Sequence, residues 1–272
     1  MSLYEFGPAE GYHERQPVLL LLDTSASMGR PAEQPPGRPA EQPPGRPAGQ
    51  PPIDALNDAL VRWFDGERTT PRLRARVEVC LVAFDSRVRV FDHGRNELVP
   101  VEEAASDRLF VPVDGMRPPR LEASGLTRLT DAVETALELA RSRYRTLQEQ
   151  HVPVRRPFLW VLTDGAPSDA HGNPMDPAAL AGTARRVRLG EERGEFVLQA
   201  VGVRGADLEL LQVLAPKAVL MLEDLSFGQI LDLLFQSSDR ITPDRTADDI
   251  HRDVRQYNEK RERMRRLEEK HR

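Results

Sequence analysis

Five apolar runs of strand length constrain this chain more than any other feature: residues 18–22, 77–84, 158–163, 196–203 and 218–222. Runs without polar alternation belong to strands buried on both faces. Between them lie helical patterns. Ile53, Leu56, Leu60 and Phe64 share one helix face, and so do Leu129, Val133, Leu137 and Ala140. Residues 177–193, 207–214 and 227–235 continue the alternation. The pattern predicts an α/β fold, doubly wound, with a mostly parallel central sheet and helices on both faces. Residues 87–91 follow Asp85 and Ser86 too closely for a crossover helix. That spacing predicts a hairpin, one antiparallel edge strand, and a turn role for Asp85. In open sheets of this kind, ligands sit beyond the carboxyl ends of the strands, at a topological switch point.

Composition narrows the function classes. With 39% hydrophobic and 30% charged residues over 272 positions, the chain can bury a real core. A formal net charge of −5 argues against nucleic acid as a partner. The single cysteine, Cys80, lies inside an apolar run, which leaves no internal disulfide and no cysteine metal site and fits a reducing compartment. Residues 1–16 are polar and lack the apolar core of a signal peptide. No apolar run is long enough to span a membrane. The expectation is a cytoplasmic protein.

The chain divides into an N-terminal extension (1–15), a main domain (16–241) and a charged helical tail (242–272). The main domain carries a low-complexity insert at 29–52. There Gly-Arg-Pro-Ala-Glu-Gln-Pro-Pro occurs twice and recurs as Gly-Arg-Pro-Ala-Gly-Gln-Pro-Pro. Proline at this density excludes helix interior and sheet. Tripling a loop's length adds only about 1 kcal/mol of closure entropy, so the fold tolerates the array. In the tail, Thr242-Pro243-Asp244 reads as a helix start. Residues 251–272 hold nine Lys/Arg and five Asp/Glu, or +4, which leaves −9 for the remainder. Ile250, Val254, Tyr257 and Met264 trace a thin apolar stripe, expected to pack weakly on the body or to dock a partner.

Chemistry concentrates at the strand ends. Asp23-Thr24-Ser25-Ala26-Ser27 follows the first run, so one loop carries three hard oxygen donors: Asp23, Ser25 and Ser27. Asp164 ends the run at 158–163 and precedes Gly165. Thr127, in Ser124-Gly125-Leu126-Thr127, stands just ahead of a helix. Hard oxygens suit Mg²⁺, Mn²⁺ or Ca²⁺. Serine and aspartate are also turn and cap residues, so the first loop alone is weak evidence. Its strength comes from three loops that a parallel sheet would bring to one end.

These residues resemble the metal-ion-dependent adhesion site of von Willebrand factor A (VWA) domains, over roughly residues 16–240. Asp23, Ser25 and Ser27 match that family's Asp-x-Ser-x-Ser, Thr127 its isolated threonine, and Asp164 its Thr-Asp-Gly aspartate. Ala26 and Leu126 stand where glycines are usual. The resemblance implies a VWA/Rossmann-like fold and a Mg²⁺ (or Mn²⁺/Ca²⁺) site with one position left for an Asp or Glu of a protein partner. Residues 17–28, 52–60 and 162–169 further resemble the TerY-type bacterial VWA proteins of tellurium-resistance and stress-response loci. That implies a non-catalytic interaction module.

Two other function classes remain. One is an adaptor subunit of a MoxR- or chelatase-like AAA+ ATPase, docked through the tail. The other is a metal-dependent hydrolase. For the hydrolase, no histidine lies in the three site segments and Ser25 stands where a second phosphoryl-transfer acid would be. There is also no phosphate-binding loop and no nucleophile elbow. Asp169 is expected to order the loop after Asp164, and His171 to be a surface residue.

Overall fold

The computed structural model of the protein describes residues 14–31, 50–65, 70–203, 205–221, 226–238 and 245–270. Residues 32–49 of the proline-rich array, residues 1–13, and the expected helix start at Thr242-Pro243-Asp244 lie outside the described residues.

The first apolar run becomes β1 (Gln16–Asp23), and α1 (Pro52–Phe64) and α2 (Pro71–Arg76) precede β2 (Val77–Phe84). β3 (Val88–Asp92), β4 (Glu97–Pro100) and β5 (Val111–Pro112) follow, then α3 (Leu129–Glu149) and β6 (Phe158–Thr163). The chain continues through α4 (Pro177–Glu192), β7 (Val197–Gly202), α5 (Leu208–Leu214), β8 (Val219–Met221), α6 (Phe227–Ser238) and α7 (Ala247–Lys270). The sheet order is β4-β3-β2-β1-β6-β7-β8, with β5 paired to β2. β2, β1, β6, β7 and β8 are parallel, while β3, β4 and β5 pair antiparallel. The α/β expectation therefore holds, with more antiparallel strand than the one edge strand expected. β4 and β5 are short and contain Pro100 and Pro112, so they lack the long apolar signature of the central strands.

Alternate residues of each central strand serve two cores. Val18, Leu20 and Leu22 pack with α1, α6 and α7 on one face, while Leu19 and Leu21 pack with α3, α4 and α5 on the other. Both faces are covered, which is why these strands read as unbroken apolar runs. Cys80 lies in the second core, where burial, with Glu78 adding, pushes its thiol up to about 12. It is an inert packing residue, as expected.

β1 lies between β2 and β6; α1, which precedes β2, packs on one face of the sheet, and α3, which precedes β6, packs on the other. The gap beyond β1 and β6 is thus the switch point. Register places the side chains there. Asp23 pairs with Phe84, and Leu22 with Leu162, so Asp23 stands beside Thr163 and Thr24 beside Asp85. α3 is tied to the sheet by Arg143, whose Nε and Nη2 each lie 2.6 Å from Glu78. That bidentate pair helps set the angle at which the N-terminus of α3 meets the site.

The tail is more firmly attached than its composition implies. Thr246 caps α7 by accepting from Asp249 N–H, and Asp249 accepts from Thr246 N–H in return. Ile250, His251 and Val254 are buried, and His251 Nε2 lies 2.9 Å from Glu191 Oε1. Met264 and Leu267, further along, are about half exposed. The first turns of α7 therefore belong to the body.

The β3–β4 turn yields a pH prediction. Asp92 is fully buried. Burial pushes its carboxyl up, but N–H groups of Ala105, Arg95 and Gly94, with the Arg95 charge, outweigh this and hold it below the usual 3.8. A depressed folded value means that the stabilisation is complete above about pH 4 and is lost as pH falls through the native value. Asp92→Asn is expected to lower the urea midpoint at pH 7, and the gap to wild type to shrink below about pH 4. A gap that stays constant from pH 7 to pH 3 would contradict this account.

Candidate metal centre

The carboxyl ends of β1 and β6 and the loop before α3 converge on one polar cluster. Asp23 is the last residue of β1 and fully buried. Its Oδ1 accepts the Ser25 N–H (2.8 Å) and its Oδ2 accepts the Thr163 hydroxyl (2.5 Å). After Thr24 the chain enters a single 3₁₀ turn, Ala26–Gly29, which turns Ser25 and Ser27 to the same side. Their hydroxyl oxygens lie 2.9 Å apart, and Ser27 donates to Asp164 Oδ1 at 2.7 Å. Asp23, Ser25, Ser27 and Asp164 are thus linked by hydrogen bonds across 141 residues of sequence.

Thr127 completes the cluster from the third loop. A methyl group added at Gly165 would lie 3.3 Å from both Ser27 Oγ and Thr127 Oγ1, and 3.9 Å from Asp23 Oδ2. The glycine after Asp164 therefore leaves a small space faced by oxygens of the first loop, Ser27 and Asp23, and of the loop before α3, Thr127. Among the described residues, the Thr127 hydroxyl has no hydrogen-bond partner, so its oxygen is uncommitted. Its backbone is held from both sides, since Ser168 Oγ accepts Thr127 N–H (3.1 Å) and Ser168 N–H donates to Thr127 O (3.0 Å). Thr130 sits inside α3 with its hydroxyl toward Met175 Sδ, outside the cluster.

The electrostatics favour a cation. Burial, and to a lesser extent the nearby Asp164, push the Asp23 carboxyl up to about 6 against the pull of the Ser25 and Thr163 hydrogen bonds. No lysine or arginine pairs with Asp23 among the described residues. A divalent ion offers the missing positive charge, and two carboxylates with three hydroxyls form a hard-oxygen donor set. Among the described residues there is no group of three or more His, Cys, Asp or Glu suited to a metal, so a cation in this cluster would depend on the hydroxyls as well as the two acids.

The neighbouring residues take the roles expected of them. Asp169 accepts N–H bonds from His171 and Asn173 and orders its loop. His171 is exposed. Sequence reasoning missed Thr163 and Ser168, which orient Asp23 and Thr127. Thr163 was within reach, because it precedes Asp164 at a strand end. Ser168 had no sequence signal, because it meets Thr127 across 41 positions.

Fold and site together define an α/β protein with an oxygen-lined polar cluster at its switch point. No protein-family model matches the chain, and no curated protein does. Solved structures do. The von Willebrand factor type A structure from Catenulispora acidiphila is 16% identical, with a TM-score of 0.48, over 83% of this chain and 43% of that one. Proximal thread matrix protein 1 of the mussel byssus is 16% identical at 0.43, over 84% and 46%. The vWF domain of the type V pili tip protein Mfa5 from Porphyromonas gingivalis is 11% identical at 0.47, over 86% and 98%. The chain thus spans less than half of the first two. At these values the likeness carries no argument by itself, and the architecture rests on the strand order and register above. Among the described residues, no helix is long and apolar enough to cross a membrane.

Proposed function

We propose that this chain is a VWA-type protein-interaction module whose metal-ion-dependent adhesion site is formed by Asp23, Ser25, Ser27, Thr127 and Asp164. The observation that carries the reading is the convergence of Ser27, Thr127 and Asp23 oxygens on the space beside Gly165. Ser25, Ser27 and Thr127 would hold the ion, Mg²⁺ or Mn²⁺ by preference and Ca²⁺ otherwise, with Asp23 and Asp164 balancing its charge. When bound, a divalent cation supplies positive charge that a third carboxylate, an Asp or Glu of a protein partner, neutralises. A contact of that kind at the centre of an interface dominates affinity.

The site favours binding over turnover. Its two acids are engaged with hydroxyls and an N–H of the same cluster, and no histidine among the described residues lies within it to serve as general base. The resemblance to TerY-type proteins favours a bacterial stress-response or signalling setting in the cytoplasm. The competing reading is a MoxR- or chelatase-type ATPase adaptor docked through the tail. The first half of α7 already packs one face on the body, which leaves its outer face, where Arg252, Arg255 and Gln256 are exposed, for that purpose.

The test is capture of partners from the native host with immobilised protein in Mg²⁺ or in EDTA. We expect a protein retained in Mg²⁺ and lost both in EDTA and with Asp23→Ala. Retention unaffected by either treatment sinks the metal-bridge reading. Metal-dependent cleavage of phosphate esters by the pure protein would replace it with the hydrolase.

A further inference from the structure

The turn joining β2 to β3 touches two of the three loops of the candidate centre without contributing to it. Asp85 is buried, with 6% exposure. Its Oδ1 accepts the Arg87 N–H (3.0 Å), and its Oδ2 receives Arg89 Nη2 (2.5 Å) and the Thr24 hydroxyl (3.4 Å). Thr24 stands between Asp23 and Ser25, so the Asp85 side chain braces the first loop. The main chain of Asp85 reaches the other loop, its carbonyl accepting the Arg128 N–H at 3.1 Å. Ser86 Oγ accepts the Leu126 N–H at 3.0 Å. Both backbone neighbours of Thr127 therefore hang on this turn. Contact is so close that a methyl group at Gly125, whose φ is +70°, would come within 2.3 Å of Ser86 Oγ. Glycine is needed there on both counts.

A hairpin turn needs only the Asp85–Arg87 bonds. Ordinary turn chemistry does not ask for a buried acid tied to Thr24, or for a serine acceptor aimed at Leu126. We infer that Asp85 and Ser86 are positioning residues: they set the separation between Thr127 and the Asp23–Ser27 loop, and so tune cation affinity without touching the ion. This rests on the cation reading above. Outer contacts of this sort are worth about 10–100-fold in metal affinity, because they fix where a ligand oxygen can sit. Leu126 is tolerated where glycine is usual because the backbone N–H, not the side chain, makes the bond to Ser86.

The experiment is Mn²⁺ titration followed by the electron paramagnetic resonance of the free ion, on full-length wild type, Ser86→Ala, Ser86→Thr and Asp85→Asn. Thermal midpoints in EDTA are measured alongside. Ser86 is exposed, so its variants are expected to fold like wild type. We expect Ser86→Ala to bind Mn²⁺ about tenfold more weakly, with a metal-free midpoint within about 2 °C of wild type. Ser86→Thr keeps the acceptor oxygen and should restore affinity to within about threefold. Asp85→Asn should also weaken binding by about tenfold. Wild-type affinity in both Ser86→Ala and Asp85→Asn overturns the inference while leaving the cation site standing. So does a loss in Ser86→Ala that threonine fails to rescue and an equal fall in the metal-free midpoint accompanies. Absence of Mn²⁺ binding by wild type removes the cation reading and this inference with it.

Discussion

Asp23→Asn is expected to abolish cation binding and at the same time to leave the metal-free protein as stable as wild type, or more so. Two opposing effects meet at this residue. With cation present, Asp23 supplies half of the carboxylate charge, and its loss should weaken Mn²⁺ or Mg²⁺ binding on the order of 100-fold. Without cation, the ionised carboxyl is held against burial, which is why it rises from 3.8 to about 6. The unfolded chain ionises it freely, so at pH 7.5 the folded state bears a cost of about 1–3 kcal/mol, at about 1.4 kcal/mol per unit. Asparagine removes the charge and retains an acceptor for Ser25 N–H. Urea unfolding in EDTA should therefore show an unchanged or raised midpoint, and calorimetric titration should show no binding. A variant that unfolds earlier than wild type in EDTA would mean that Asp23 is a structural cap and not a strained ligand.

Ile250→Asp has the largest expected effect on stability. Ile250 is fully buried among the residues that pack α1, α6 and α7 onto the sheet. Aspartate there loses the side chain's burial energy and places a charge where no partner awaits it, costing about 4 kcal/mol or more. The melting midpoint of the whole domain should fall by several degrees in one cooperative transition. Met264→Asp, on the exposed stretch of the same helix, should change it hardly at all. If Ile250→Asp melts α7 alone and leaves the remainder at the wild-type midpoint, the tail is an appendage. Deleting residues 243–272 is a poor test of partner docking for the same reason: it strips the body of Ile250 and Val254.

What could be read from the chain, and what could not, divides by the range of the interactions. The central strands were legible because burial on both faces leaves an unbroken apolar run, as in residues 18–22. Asp23, Ser25, Ser27, Thr127 and Asp164 were legible because each stands at a strand end or before a helix. The supporting contacts were not. Thr163 meets Asp23, and Asp85 meets Thr24, only because β1 pairs with β6 and β2 in one particular register. A turn reading of Asp85 was sound as far as it went, since the Arg87 N–H does bond to it. Its second attachment, through Thr24, depends on a neighbour 61 residues away. Likewise β4 and β5 were hidden by their brevity, and α7 begins at a Thr246–Asp249 cap inside the described residues.

A cation is expected among oxygens from three loops at the switch point. An anomalous difference map from a crystal grown with Mn²⁺ tests it most directly. One strong peak is expected among the Ser25, Ser27 and Thr127 hydroxyls, absent from Asp23→Asn crystals. A map with no peak there, or with the ion at the Asp169 loop instead, would contradict it.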